Sequence, residues 1–244
     1  MGLRLEVDWF AYTDDLQLPV AVLYRTPGTP DPQINVKLRD QIQLRYTDRR
    51  KGSRKSLDPA AIQTAVTISA EAGLESFFCA TPEALRAMAD IVGQTDLVRL
   101  LDPWGYRDFI QEMRWSDAEA LETGDGVDLE TLELTAAEKA GLQLLRDPEL
   151  MQFLGARGLG SGLAKMGSDS VLNSGGVFGI WSRQRETSVK DWLTYGRVME
   201  RLWLHFTEAG IACQPCAPFF FLFHRLTRSE EKEYQFSPEL QQHL

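Results

Sequence analysis

The side chains best suited to chemistry in this sequence lie in one short basic segment. Six of the eleven residues from position 45 to position 55 are cationic: Arg45, Arg49, Arg50, Lys51, Arg54 and Lys55. Arg45 and Arg49 each stand two positions from Thr47, and two guanidinium groups with a hydroxyl between them can donate several hydrogen bonds to one phosphate. A solvated basic turn is the competing interpretation, because runs of charge usually lie at the protein surface.

A glycine pair before a predicted strand is the second candidate. Ser174, Gly175 and Gly176 precede the apolar residues 177–181. Glycine has no side chain, so this segment would let the backbone approach a planar ligand closely, but it serves an ordinary turn equally well. The turn is the interpretation that the sequence alone favours.

The third candidate is the pair Cys213 and Cys216, whose spacing suits a redox pair or half of a metal site. A second such pair is absent from the sequence, and the three histidines are scattered at His205, His224 and His243. We therefore expect buried or half-buried cysteines, a structural role for His205 and no metal site. The sequence shows no serine–histidine–acid grouping either, so it designates no catalytic residue.

Capping residues followed by proline mark where several helices begin. This pattern occurs at Asp58-Pro59, Thr81-Pro82, Asp102-Pro103 and Asp147-Pro148. Thr135 and Glu138 match a capping box, and a further helix is predicted from Asn35.

One long helix is predicted more strongly than the others. Its large apolar residues recur at steps of mostly three and four: Trp192, Tyr195, Met199, Leu202, Trp203 and Phe206. Gly210 stands where a C-terminal glycine ends a helix. We expect this stripe of side chains to form core or a dimer interface.

Short strands are predicted among these helices, at residues 3–9, 20–24, 75–80, 177–181, 211–214 and 219–223. Residues 26–33 are rich in proline and predict a linker. Many helices with a few interspersed strands indicate the α+β class.

The composition restricts the classes of function. The chain has 244 residues, 43% of them hydrophobic, which suits one large domain or two small ones. Its 35 acidic and 26 basic residues give a net charge of −9, which disfavours general binding to nucleic acid or anionic membranes. The charged N-terminus is unlike a signal peptide, no apolar run approaches the roughly 20 residues that cross a bilayer, and the cysteines are too few for a disulfide scaffold. We expect a cytoplasmic protein.

Two segments together resemble the FMN-dependent nitroreductase superfamily. Arg45-Tyr-Thr47-Asp-Arg49 resembles the R-x-S-x-R opening of that superfamily, and residues 191–212 resemble its long core helix with the ending Gly210-Ile-Ala. Thr47-Asp-Arg49-Arg50 is similar to the second half of a double-length branch, which includes mycobacterial dormancy-type proteins and proteins fused to ubiquitin-activating-like domains. The similarity covers residues 38–226.

The resemblance implies a fold, an assembly and a reaction. The fold would be an α+β nitroreductase-like domain over residues 35–244, with a central, mostly antiparallel sheet flanked by helices and a long core helix. Residues 1–34 would form N-terminal strands and a linker. A homodimer or pseudo-dimer would hold FMN, and hydride would pass from NAD(P)H to FMN and then to an electron-poor small molecule.

The resemblance also implies a site. The phosphate of FMN would be held by Arg45, Thr47 and Arg49, and the residues near the flavin ring would be Ser174, Gly175 and Gly176. One difference opens an alternative: residues 70–78 pass directly from helix to strand, without the S-x-N-x-Q-P-W segment that is usual in the family. The alternative is a catalytically inactive nitroreductase-like domain that stores flavin or acts as an interaction module.

Overall fold

The structure is a computed structural model that describes residues 3–9, 21–28, 36–183 and 188–228. The α-helices of these residues are α1 (Val36–Gln41), α2 (Pro59–Glu71), α3 (Pro82–Leu101), α4 (Pro103–Glu112), α5 (Asp117–Thr123), α6 (Ala136–Leu144), α7 (Pro148–Ala156), α8 (Lys165–Leu172), α9 (Val189–Glu208) and α10 (Pro218–Arg228). The strands are β1 (Leu3–Trp9), β2 (Ala21–Pro27), β3 (Glu75–Cys79), β4 (Met113–Arg114), β5 (Val127–Asp128) and β6 (Val177–Trp181). Short 3-10 helices cover Leu129–Leu132 and Ser161–Ala164.

The strands of the described ranges form three two-stranded sheets. β1 pairs with β2 in antiparallel register, from Leu3 opposite Pro27 to Trp9 opposite Ala21. β3 pairs with β6, and β4 pairs with β5 in parallel. The protein is therefore a mostly helical α+β protein with small sheets. β2 continues through Pro27, so the predicted linker begins later than residue 26.

The chain divides into two compact units. The first contains Met1–Thr47, Leu57–Phe77 and Phe178–Cys213, and the second contains Asp48–Ser56, Phe78–Val177 and Gln214–Leu244. The sequence-based boundary at residue 34 stays a prediction, because residues 29–35 lie outside the described ranges, as does the proposed helix cap Asn35.

The core of the first unit lies between α2, α9 and the segment after α2. Its buried side chains are Ala65, Ile68, Leu74, Val198, Leu202 and Phe206. Only part of the predicted stripe of α9 is in this core: Leu202 and Phe206 are buried, whereas Trp192 is 59% and Met199 43% exposed. The expectation of core is therefore confirmed for the C-terminal half of the stripe, whereas the described neighbours do not cover its N-terminal half and a dimer interface there stays a prediction.

The core of the second unit is built around α3. Its buried side chains are Leu97, Val98, Leu101, Met113, Leu129, Leu142, Leu145, Met151 and Leu222. A smaller cluster of Ala89, Val92 and Val171 joins α3 to α8.

The predicted strand at residues 219–223 is wrong, because this segment is part of helix α10. Pro218 begins the helix, a position that suits proline since the first helical N–H has no acceptor. Leu222 is buried, and Arg225 reaches the buried carboxylate of Asp102. A helix places residues three apart on one face, so both contacts are made together.

The predicted strand at residues 211–214 reduces to one bridge between Thr47 and Cys213. None of the helices that the structure describes is long and apolar enough to cross a membrane.

Candidate functional site

The predicted phosphate-binding residues belong to different units. Arg45 and Thr47 are in the first unit, and Arg49 is in the second, together with Ser174, Gly175 and Gly176.

Arg45 lies against helix α9. Its guanidinium carbon is 4.3 Å from the centre of the Trp203 ring, a cation–π contact, and its Nε is 3.0 Å from Oε1 of Glu200. The Nε atom is buried, and its contact with Glu200 lacks hydrogen-bond geometry. The contact is therefore an ion pair without a hydrogen bond. Arg45 thus has partners within its own unit and one N–H whose hydrogen-bonding capacity is unused.

Thr47 is half-buried and fixes the end of the same segment. Its backbone forms a parallel bridge with Cys213, just beyond the C-terminus of α9. Arg45 and Thr47 are therefore both held beside the end of the chain segment that contains α9.

Arg49 is half-buried and has neither a hydrogen bond nor an ion pair with any residue that the structure describes. Two neighbouring cations do have carboxylate partners. Arg50 Nη2 is 2.6 Å from Oδ2 of Asp48, and Lys51 Nζ is 2.7 Å from Oε1 of Glu138. The Lys51 hydrogen bond, aided by those from Thr135, lowers the pKa of Glu138 to about 2. Arg49 is consequently available to an added anion.

Arg54 is held in an unusual backbone conformation at the end of α8. Its φ is +55°, in the left-handed region that side chains other than glycine rarely adopt. Its backbone N–H donates to the Asn173 carbonyl at 3.1 Å, and its Nε donates to the Asn173 side-chain oxygen at 3.2 Å. The Asn173 amide nitrogen in turn donates to the Asp169 carbonyl at 2.7 Å, which fixes the orientation of the amide. Strain of this kind is a pointer to function.

Gly52 makes close contact between the basic segment and the end of α8 possible. A Cβ at this position would overlap the Asn173 carbonyl oxygen and come within 3.2 Å of the Ser174 Cα. Only glycine therefore lets the basic segment rest on the end of α8. The structure brings the segment that carries Arg49 against the residues that precede Gly175, which the sequence alone did not predict.

Ser174 and Gly176 have packing roles. The Ser174 hydroxyl donates to the Val171 carbonyl at 2.7 Å, a bond at the end of α8. A Cβ at Gly176 would overlap the ring of Phe78, so glycine is required there by the protein's own packing. Gly175 is half-buried between them. These contacts fit the interpretation of the tripeptide as a turn.

The cysteines are free thiols, and burial raises the pKa of Cys213 to about 11. Cys216 is exposed, so the expectation of a buried or half-buried thiol is wrong for this residue. Partial desolvation, followed by the negative charge of Asp96, still raises the pKa of Cys216. Both effects disfavour the nucleophilic thiolate. Nε2 of His205 is 2.8 Å from the Ala61 carbonyl oxygen, a structural contact between α9 and α2. Across the described residues no cluster of His, Cys, Asp and Glu is arranged to hold a metal ion.

Two shallow acidic depressions lie on the second unit around the loop after α5. The smaller has a volume of about 320 Å³, and its lining residues are Asp108, Gln111, Glu112, Arg114, Asp125 and Gly126. Its cation, Arg114, already donates to Asp125 at 2.5 Å and to Thr123 at 2.9 Å. The depression therefore has no free positive charge to offer an anionic ligand.

The comparisons with known proteins give one distant relative. The chain is 24% identical over 190 residues to an uncharacterized protein of Mycobacterium tuberculosis. The alignment covers 78% of this chain and 26% of the relative, so the chain spans about a quarter of that protein's length. No family model matches the chain, and no solved structure matches it.

Proposed function

We propose that this chain is a nitroreductase-like domain whose basic segment binds the phosphate group of FMN. The observation that carries the proposal is Arg49, a half-buried guanidinium with no acidic partner among the described residues. A partly buried cation gains most from an anion, because burial removes part of the water that would otherwise solvate its charge. In a chain of net charge −9, such a residue is a specific place for a phosphate.

The setting of Arg49 supports the same proposal. The segment is anchored by Gly52 and Arg54 on the end of α8, and Arg54 is oriented through its Nε, so its terminal nitrogens stay available. Lys55 is exposed and has no ion pair within the described ranges. The second unit thus has three cations within seven residues of chain that form no ion pair with a described carboxylate: Arg49, Arg54 and Lys55.

Arg45 and Thr47 are the corresponding candidates in the first unit. The unused Nε of Arg45 is a hydrogen-bond donor that a phosphate oxygen would satisfy, in competition with the carboxylate of Glu200. Because Trp203 keeps the guanidinium in place from one side, exchange of the anion would need little movement of Arg45.

The unpaired cations of the basic segment favour the phosphate end of FMN, whereas Ser174 and Gly176 are engaged in the protein's own packing and offer little to the flavin ring. The space that a Cβ of Gly176 would occupy is already filled by the Phe78 ring, and the Ser174 hydroxyl is bonded to the Val171 carbonyl. Bound FMN would supply the redox chemistry, with NAD(P)H as reductant and a small electron-poor acceptor.

A homodimer or pseudo-dimer belongs to the proposal, as does the finer architecture of a central, mostly antiparallel sheet. The dimer is supported by an exposed apolar surface on α9, formed by Trp192, Leu193 and Met199. Large apolar side chains that recur on one helix are typical of a contact with another protein surface.

A noncatalytic flavin-binding or interaction module is the second candidate. It is favoured by the packing of Phe78 against Gly176 and by the engagement of Arg45 with Trp203 and Glu200. Such a domain would retain phosphate binding without the redox reaction.

The absorbance of the purified protein separates these functions. We expect added FMN to bind, and bleaching of the visible flavin band by NAD(P)H would support the oxidoreductase over the module. Arg49→Ala should weaken FMN binding by about 1.5–3 kcal/mol, the usual contribution of a hydrogen bond to a charged group. Arg86→Ala removes an exposed cation paired with Glu83 and is the matched control, with affinity unchanged. Wild-type protein that does not bind FMN would falsify the proposal.

A further inference from the structure

Helices α3 and α8 approach each other through two glycines. A Cβ at Gly93 of α3 would overlap the Ser168 hydroxyl and come within 2.8 Å of the Ala164 carbonyl oxygen. A Cβ at Gly167 of α8 would overlap Oδ2 of Asp96. The Ser168 hydroxyl also donates to the Ala89 carbonyl at 2.9 Å, a hydrogen bond from one helix to the backbone of the other. The α3–α8 contact therefore has no room for further atoms.

The half-buried Asp96 places an ionisable carboxyl against Gly167, at the edge of this contact. The carboxyl lies against Gly167, within the first turn of α8, and the Gly167 N–H donates to it. Ala164, the residue at the N-terminal cap of α8, has no side-chain cap bond, so Asp96 supplies from another helix the acceptor that is missing there.

No cation neutralises this carboxyl among the residues that the structure describes. Arg99, one turn further along α3, is 2.5 Å from Glu112 and stacks on the Phe109 ring at 5.8 Å. On α8, Lys165 forms its ion pair with Asp169 at 2.7 Å.

Within the described ranges, a further titratable group that faces Asp96 is the Cys216 thiol in the segment before α10, whose pKa is raised by desolvation and then by the Asp96 charge. A thiol offers no positive charge, so ionised Asp96 would be balanced only by the Gly167 N–H and by the more distant Arg99.

We propose that the Asp96 carboxyl is a proton-controlled latch of the α3–α8 contact, closed when the carboxyl is protonated and loosened when it is ionised. Loosening moves the carboxylate towards water, where its charge is solvated. The inference does not depend on the proposed flavin binding.

The titration behaviour of Asp96 supports this geometry. Burial raises the pKa of Asp96 to about 6 from an ordinary value of 3.8, against the opposing effects of Arg99 and the Gly167 N–H. A carboxyl with a raised pKa in the closed state stabilises that state below its ordinary pKa and loses this contribution as pH rises to the raised pKa. The contact should therefore weaken between about pH 4 and pH 6 and change little above that window.

The latch is connected to the basic segment through α8. This helix ends at Leu172, and the next residue, Asn173, holds the backbone and the guanidinium of Arg54. Loosening the first turn of α8 would release constraints on a helix of only eight residues. We expect the order of Arg54 to follow the ionisation of Asp96.

Hydrogen exchange of the α8 amides tests the latch. After correction for intrinsic exchange rates, the fraction of molecules with the α3–α8 contact open should rise roughly fiftyfold between about pH 4 and pH 7. This is the linkage expected when the pKa of Asp96 is about 6 in the closed contact and 3.8 in the open one. In Asp96→Asn, which keeps an acceptor for Gly167 but cannot ionise, this rise should disappear. Asp90→Asn removes an exposed carboxylate from the same helix and should keep it.

An equal pH dependence in wild type and Asp96→Asn would overturn the proposal. A second measurement uses the wild-type chain only and so does not depend on the folding of a variant. The carboxyl ¹³C shift of Asp96 should titrate near pH 6, and titration near its ordinary value of 3.8 would equally overturn the latch.

Discussion

Asp102 is 2% exposed, and its carboxylate accepts hydrogen bonds from two parts of the second unit. Oδ2 accepts from the Gly105 N–H at 2.9 Å and caps helix α4, and the two oxygens accept from the Arg225 guanidinium of α10 at 2.6 and 3.0 Å. The sequence predicts the capping role from Asp102-Pro103, whereas the ion pair joins residues that are 123 positions apart. A sequence pattern carries no information about a partner at that separation.

Removing one member of this pair should strongly destabilise the protein. We expect Arg225→Met to lower the free energy of unfolding by about 3–5 kcal/mol, because it leaves the Asp102 carboxylate buried without its counter-charge. Urea titration followed by tryptophan fluorescence measures the change.

The matched control is Arg39→Ala, which breaks an exposed ion pair with Asp40. Its cost should stay below about 1 kcal/mol. Equal effects of the two variants would show that the Asp102–Arg225 pair is no better desolvated than a surface pair.

Helix starts were the elements most fully specified by sequence. Asp58, Thr81, Asp102, Thr135 and Asp147 all accept a hydrogen bond from a backbone N–H in the first turn of the helix that follows. These predictions are confirmed because a cap and its helix are separated by only two or three residues, and the geometry is local.

The effect of substituting a glycine inside a helix, unlike a helix start, is not specified by local sequence, because it depends on which residues pack against the glycine. Gly93→Ala should lower the free energy of unfolding by about 1–3 kcal/mol, because the new methyl group would overlap Ser168 and approach the Ala164 carbonyl. Gly141→Ala, in α6 with nothing within 4 Å, should instead stabilise the protein by about 0.5–1 kcal/mol. Thermal unfolding of both variants makes the comparison, and a neutral Gly93→Ala would contradict the close α3–α8 approach.

The secondary structure of α10 depends on contacts with residues outside its own segment. Residues 219–223 are a short apolar run, and such a run does not distinguish a strand from a helix by periodicity. The contacts of Leu222 with the core and of Arg225 with Asp102 favour the helix. Both contacts depend on parts of the chain far away in sequence.

For the whole molecule, the assembly is the property most open to test. If α9 forms a dimer interface, Trp192→Glu should convert a dimer to a monomer, since Trp192 is 59% exposed and a charge there would be desolvated in the interface. Light scattering coupled to size exclusion measures the mass. Leu144→Glu introduces the same charge at an exposed apolar residue of α6 and should leave the mass unchanged. A wild-type monomer at micromolar concentration would remove the dimer from the proposal.

The candidate site was predicted from sequence in part. The basic character of residues 45–55 and the turn at Ser174 are visible in the residue types. The roles of Gly52, Arg54 and Asn173 are not, because a glycine in a basic run and an asparagine after a helix carry no mark of their contact.

The sequence by itself determined the α+β class, the starts of five helices and the basic segment, because these depend on residue type and on neighbours within about one helical turn. The tertiary structure decided which cations are paired, which face of α9 is buried and that α10 is a helix. Burial and ion pairing depend on atoms that come from distant positions in the chain. The free energy of a charge or of an apolar ring depends on the atoms that surround it in the folded protein. Arg49 and Arg50 are adjacent and chemically identical, yet only Arg50 has an acidic partner among the described residues.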